Sequence, residues 1–171
     1  MFEVEQTYDV AALTALCRAA RKTTRPVWRV IRGAVWVTFA VGTLLLAAQL
    51  ALQSFGKGDL RLLLSVAVLL LFLLFEDKLN AWVALRQMVP GTAHSTTVFG
   101  EDAYTVTTDT TQTRWQYENI TALAETRRYY FCFLGKRHGQ CFDKQGFRQG
   151  DSEAFRTFIE QKTGKSINTI K

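Results

Sequence analysis

Residues 62–82 read LLLSVAVLLLFLLFEDKLNAW: fourteen uncharged, largely aliphatic positions that give way abruptly to Glu76, Asp77 and Lys78. A run of that length is ambiguous by itself, because a helix needs about 20 apolar residues to cross a hydrocarbon core of roughly 30 Å. Its neighbour decides the reading. Residues 33–55, GAVWVTFAVGTLLLAAQLALQSF, carry no charged side chain, and as a helix they extend about 34 Å, enough to span. Only GKGD, residues 56–59, separates the two runs, and its glycines suit the tight connection of an antiparallel helical pair. The pattern predicts a two-helix transmembrane hairpin within residues 33–88, with spans over 33–55 and 60–82. The second span is short, but Arg61 can reach the far interface, Trp82 suits the near one, and tilt or local thinning absorbs the rest. A cleaved leader is the rival reading of the first run; thirty-two residues precede that run and a second apolar run follows it at once, which argues against a leader.

Charge placement gives the orientation. Arg18, Arg21, Lys22, Arg25, Arg29 and Arg32 precede the first span, whereas the turn and its border offer only Lys57 and Arg61. By the excess of basic residues on the cytoplasmic side, both termini are expected inside and the turn outside. Of the formal charge of +6, residues 1–32 carry +3 and residues 90–171 carry +2. The second stretch is therefore nearly neutral, which excludes the concentrated basic surface of a nucleic-acid binder and ties the excess to topology and anionic lipid.

On the cytoplasmic side, residues 2–6 alternate apolar and polar and predict a short strand, followed by an amphipathic helix capped by Asp9 and ended by residues 24–26. Residues 1–32 thus form an N-terminal strand-and-helix segment, whose helix lies either on the membrane or on the C-terminal domain. The strand is expected to join the sheet of that domain, because an isolated strand leaves its backbone groups unpaired. Residues 90–171 are Thr-rich and aromatic, with strands predicted at 94–99, 104–108, 113–117, 120–125, 129–134 and 140–143 and a closing helix at 151–162. Asp151 or Ser152 caps that helix and Gly164 stops it. The expected class is α+β: a membrane hairpin carrying a small antiparallel β domain closed by a C-terminal helix.

Two stretches in this part, TRWQYENITALAETRRYYFCF (113–133) and FDKQGFRQGDSEAFRTFIEQ (142–161), resemble the Trp-containing strand, aromatic strand, final hairpin and helix of the bacterial YcxB-like membrane proteins. Trp115, Phe147 and Phe155 anchor the likeness, and Asp143 departs from it where a Pro is expected before the basic residue. The resemblance implies a cytoplasmic domain akin to a pleckstrin-homology barrel, a fold used to bind lipid or protein.

Chemistry-bearing motifs are sparse. CFLGKRHGQC (132–141) places Cys132, His138 and Cys141 around one hairpin turn, but the spacing is not that of paired zinc ligands, and neither His94 nor Cys17 has a positional reason to supply a fourth. Free buried thiols, no metal and no cofactor are expected, the compartment being reducing. There is no nucleophile elbow and no phosphate loop, so an enzyme is not expected. Glu76 and Asp77 raise an ion-path reading, against which stands their position after the apolar run, as an interfacial cluster with Lys78. Thr43, Ala47 and Ala51 recur every four residues as a smooth face for packing within the hairpin, or else on a second copy. Arg127, Arg128, Lys136, Arg137, Lys144 and Arg148 form a candidate basic rim for an anionic headgroup, whose bland reading is solvated edge charge. Trp115 is expected in the core, with Thr113 and Tyr117 on the same sheet face, or else lining a partner groove.

Two functions follow as expectations. One is a membrane-anchored, non-enzymatic binding or scaffold module with membrane lipid or a protein as partner. The other is a subunit of a small oligomeric transporter or channel, for which Gln49, Gln53, Thr38, Thr43 and Ser65 make a thin polar inventory.

Overall fold

The computed structural model describes residues 1–24, 27–51, 57–135 and 138–170. It divides into two compact units: Met1–Arg25 together with Asp77–Lys171, and Pro26–Glu76. The first unit is α+β and is assembled from both flanks of the second.

β1 (Phe2–Thr7) opens the strand-rich unit. Asp9 then caps α1 (Val10–Thr23), its carboxylate accepting the Ala12 N–H at 2.6 Å. After the helical unit come β2 (His94–Phe99), β3 (Ala103–Thr108), β4 (Gln112–Gln116) and a single 3-10 turn at Tyr117–Asn119. The chain continues through β5 (Ala122–Glu125), β6 (Tyr129–Phe133), β7 (Gly139–Asp143), β8 (Phe147–Gln149), α4 (Ser152–Thr163) and β9 (Ile167–Thr169). Five strands form one sheet in the order β4-β3-β2-β1-β8, and four form another in the order β7-β6-β5-β9.

The expectation that the first strand joins this domain holds. Phe2 to Thr7 pair antiparallel with Phe99 to His94, and on its other side β1 pairs with β8. The two sheets meet beside β1, where the Asp143 N–H donates to Gln6 Oε1 at 2.8 Å. A proline at position 143 would have no N–H to give, so an Asp serves at this position. Gly146, in the turn between β7 and β8, accepts the Glu5 N–H on its carbonyl at 2.8 Å. A Cβ on Gly146 would stand 2.1 Å from the Glu5 carbonyl oxygen, so only glycine permits the approach.

Between the sheets lie Val4, Phe99, Tyr104, Leu123, Tyr130, Cys132 and Phe142, closed by Phe155 and Ile159 of α4. The other face of the four-stranded sheet carries Ala124, Tyr129, Phe131, Phe133 and Cys141 against Ala12 and Ala19 of α1. α1 therefore packs on the domain, the second of the two placements its small apolar face allowed. Asp151 caps α4 and Gly164 ends it in the left-handed region, as read from the sequence.

Several expectations are corrected. Periodicity predicts neither β8 nor β9, since each has three residues, too few to show a period of two, although β8 falls in the final hairpin that the resemblance implies. β4 ends before Tyr117, which turns into the 3-10 segment and is buried with its hydroxyl donating to the Gly100 carbonyl at 2.8 Å. Thr113 is exposed and Trp115 half-buried, packed on the core from an edge strand, so the three residues do not share a buried face.

The helical unit contains α2 (Val27–Ala51) and most of α3 (Lys57–Arg86). Val30–Ala48 is long and apolar enough to cross a membrane by length and composition. α3 carries Arg61, Glu76, Asp77 and Lys78 around its shorter apolar run. Residues 52–56, including Gln53 and Gly56 of the expected connection, lie outside the described residues, and α3 already begins at Lys57. Val35, Phe39, Gly42 and Leu46 make the less exposed stripe of α2, and Leu62, Val66, Leu69 and Leu73 that of α3. These spacings of three and four form a helix–helix seam. The helices come close at Gly42, where an added Cβ would lie 3.0 Å from Val66 Cγ2. The expected seam of Thr43, Ala47 and Ala51 is thereby overturned: all three are exposed, because Gly42 supplies the close point and larger side chains fill the rest.

Candidate functional site

Among the described residues, three of the basic side chains singled out from the sequence, Arg128, Lys144 and Arg148, are paired with carboxylates. Arg128 Nε donates to Asp143 Oδ2 at 2.9 Å, and that bond and charge raise the guanidinium above its usual range. Arg148 Nη2 donates to Glu5 Oε2 at 2.7 Å. Lys144 Nζ donates to Glu125 Oε2 at 2.9 Å and lies 4.3 Å from the Tyr130 ring centroid. Arg127 is exposed and makes no ion pair among the described residues. Lys136 and Arg137 lie outside the described residues.

Glu125 is a structural hub. It is buried, and beyond Lys144 it receives the Thr169 hydroxyl at 3.0 Å and stands 3.4 Å from Arg156 of α4. Burial pushes its carboxyl up, but the hydrogen bonds from Lys144 and Thr169 and the charges of Lys144 and Arg156 outweigh this and hold it below the usual carboxylate range. One carboxylate thus ties β5 to the β7–β8 turn, α4 and β9.

Arg128 and Arg148 do come together, on a polar groove of about 530 Å³ where β1, β2 and β3 end beside Tyr129 and Asp143. Gln6, Ser95 and Thr108 form a cross-strand row that lines it, set by the registers Gln6 to Ser95 and Ser95 to Thr108. On the rim, the Thr7 hydroxyl and His94 Nδ1 are 3.1 Å apart. Four carboxylates line the groove, those of Glu5, Asp9, Asp109 and Asp143. Sequence reading missed these because β1 and β2 are far apart along the chain; no local motif marks them. A second groove, of about 650 Å³, lies by Glu101, Arg114, Glu118 and Lys162.

Cys132 and His138 do not converge with Cys141. Cys132 faces the core between the sheets, Cys141 faces α1 from the opposite side of the sheet, and His138 is exposed. Burial pushes both thiols up to about 12, which makes them poor nucleophiles and poor ligands. Asp77, read from the sequence as interfacial charge, takes a bidentate pair from α1: Arg21 Nε donates to Oδ1 at 3.1 Å and Nη2 to Oδ2 at 2.5 Å, with Arg18 3.7 Å away.

Residues 99–159 match the family model described as YcxB-like protein. The matched stretch runs from the last residue of β2 into α4 and contains Trp115, Phe147 and Phe155, the anchors of the resemblance read from the sequence. No curated protein and no solved structure matches the chain.

Proposed function

We propose, starting from the YcxB-like stretch at residues 99–159, that this chain is a membrane-anchored, non-enzymatic binding module. α2 and α3 form a hairpin in the bacterial inner membrane, and the strand-rich unit, akin to a pleckstrin-homology barrel, presents a binding surface in the cytoplasm. One observation carries this reading: among the described residues, every exposed large apolar side chain except Met1 and Val89 lies on α2 or α3. In water so large an apolar surface is a liability; in lipid it is the required exterior. The strand-rich unit is built from both chain flanks, which fits a hairpin that leaves and re-enters one compartment.

The transporter alternative needs polar groups free to meet an ion or solute. The Thr38, Thr43 and Ser65 hydroxyls instead donate to the carbonyls of Ala34, Phe39 and Arg61, one turn back on their own helices. Such internal pairing suits a lipid-facing anchor. The test is topology: a reporter active only in the cytoplasm, fused at either end, should work, and one placed at residues 52–56 should be silent. Activity at the tip with silence at both ends overturns the proposal.

A further inference from the structure

We propose that the groove at the ends of β1, β2 and β3 binds a small organic cation, an ammonium or guanidinium group on a ligand that also offers hydrogen-bonding groups. This names the ligand class of the binding module proposed above and rests on that reading. The charge of the lining comes first. Two of its four carboxylates are engaged, Asp143 by Arg128 and Glu5 by Arg148. Asp9 and Asp109 form no ion pair among the described residues, although Asp9 caps α1 through Oδ1 and its charge reaches Arg128. The unbalanced charge is therefore negative. An anion entering would meet two guanidiniums already neutralised and two carboxylates that are not.

Ser95 points independently to a ligand. It lines the groove, is only 6% exposed, and its hydroxyl has no hydrogen-bond partner among the described residues. A hydroxyl left unpaired on a nearly buried side chain at the groove wall is available to a polar group that enters. The volume of about 530 Å³ lies in the ordinary range for small-molecule sites. The geometry gives each part a role: Asp109 and Asp9 take the cationic end, and the Ser95 hydroxyl, between the internally bonded Gln6 and Thr108, takes the hydrogen-bonding part.

The experiment is calorimetric titration of the full chain in detergent with agmatine, spermidine, an acetyl-Gly-Arg-Gly-amide tripeptide and inorganic phosphate. Saturable binding of at least one cation is expected, falling about tenfold in Asp109→Asn and in Asp9→Asn, the loss of one charge-assisted hydrogen bond. Asn still caps a helix, so Asp9→Asn should leave thermal stability unchanged. Ser95→Ala should weaken binding by a smaller factor. Tighter binding of the free amines identifies a metabolite-sized ligand, and tighter binding of the tripeptide a basic peptide segment; either supports the site. Phosphate binding more tightly than every cation, no saturation by any cation up to about 10 mM, or cation affinity unchanged in both Asp variants overturns it. Flotation of the same protein with liposomes reads the anchor separately, so failure of one proposal is not mistaken for failure of the other.

Discussion

Phe155 and Leu44 are both large apolar side chains on helices, and their surroundings are opposite. Phe155 is wholly buried, with the rings of Phe99 at 4.7 Å, Phe147 at 5.2 Å, Tyr130 at 5.3 Å and Phe2 at 5.5 Å. Leu44 is 70% exposed. The strand-rich unit hides its apolar surface in itself and holds together by water's exclusion of that surface. The helical unit turns most of its own outward and keeps only a narrow seam around Gly42 and Val66. The same residue types therefore report folding in one unit and the choice of solvent in the other.

The largest test of this contrast is Phe155→Ala. It should cost about 3 to 5 kcal/mol and make the strand-rich unit sensitive to protease, while the full chain still floats with liposomes. Loss of both together would show that the two units do not separate energetically.

Glu125→Gln comes next, at about 3 kcal/mol, because it leaves Lys144 and Arg156 without their buried partner. The effect depends on pH with a definite sign. The folded-state value of the carboxyl is lowered, so its contribution is fully present above the unfolded carboxylate value and is lost as pH falls through the lowered one. Thermal denaturation of wild type and Glu125→Gln should converge on acidification below about pH 4. A gap that widens there would contradict the assignment.

Trp115→Ala is expected to cost about 2 kcal/mol, less than a full core truncation, because the ring is half-buried on an edge strand. A loss as large as that of Phe155→Ala would place Trp115 in the core proper. Smallest of all should be Leu44→Ala and Thr43→Val, each within about 0.5 kcal/mol in detergent. Leu44 has little to lose but lipid contact, and the Thr43 hydroxyl is satisfied on its own helix. A marked fall in stability or a change in assembly size with Thr43→Val would mean that the small-residue face meets another copy after all.

Much of the architecture is local and was legible in the sequence. The helical runs, the Asp9 and Asp151 caps, the Gly164 stop and the strand at His94–Phe99 follow from periods and end signals within a few residues of each element. The likeness to YcxB-like proteins was legible for the same reason, since Trp115, Phe147 and Phe155 sit in contiguous patterns. What the tertiary structure decided depends on meetings between distant parts of the chain. Composition alone does not tell that Gln6 takes the Asp143 N–H, that Glu125 collects three partners, or that Cys132 and Cys141 face opposite ways. Nor does it separate Gly42 from Thr43 as the contact point between helices, because both are small and only the rotation of α2 about its axis chooses. The groove belongs to this second kind: its acids and hydroxyls come from strands that hydrogen bonding brings together across the inserted helices, and pairing register is a property of the folded sheet.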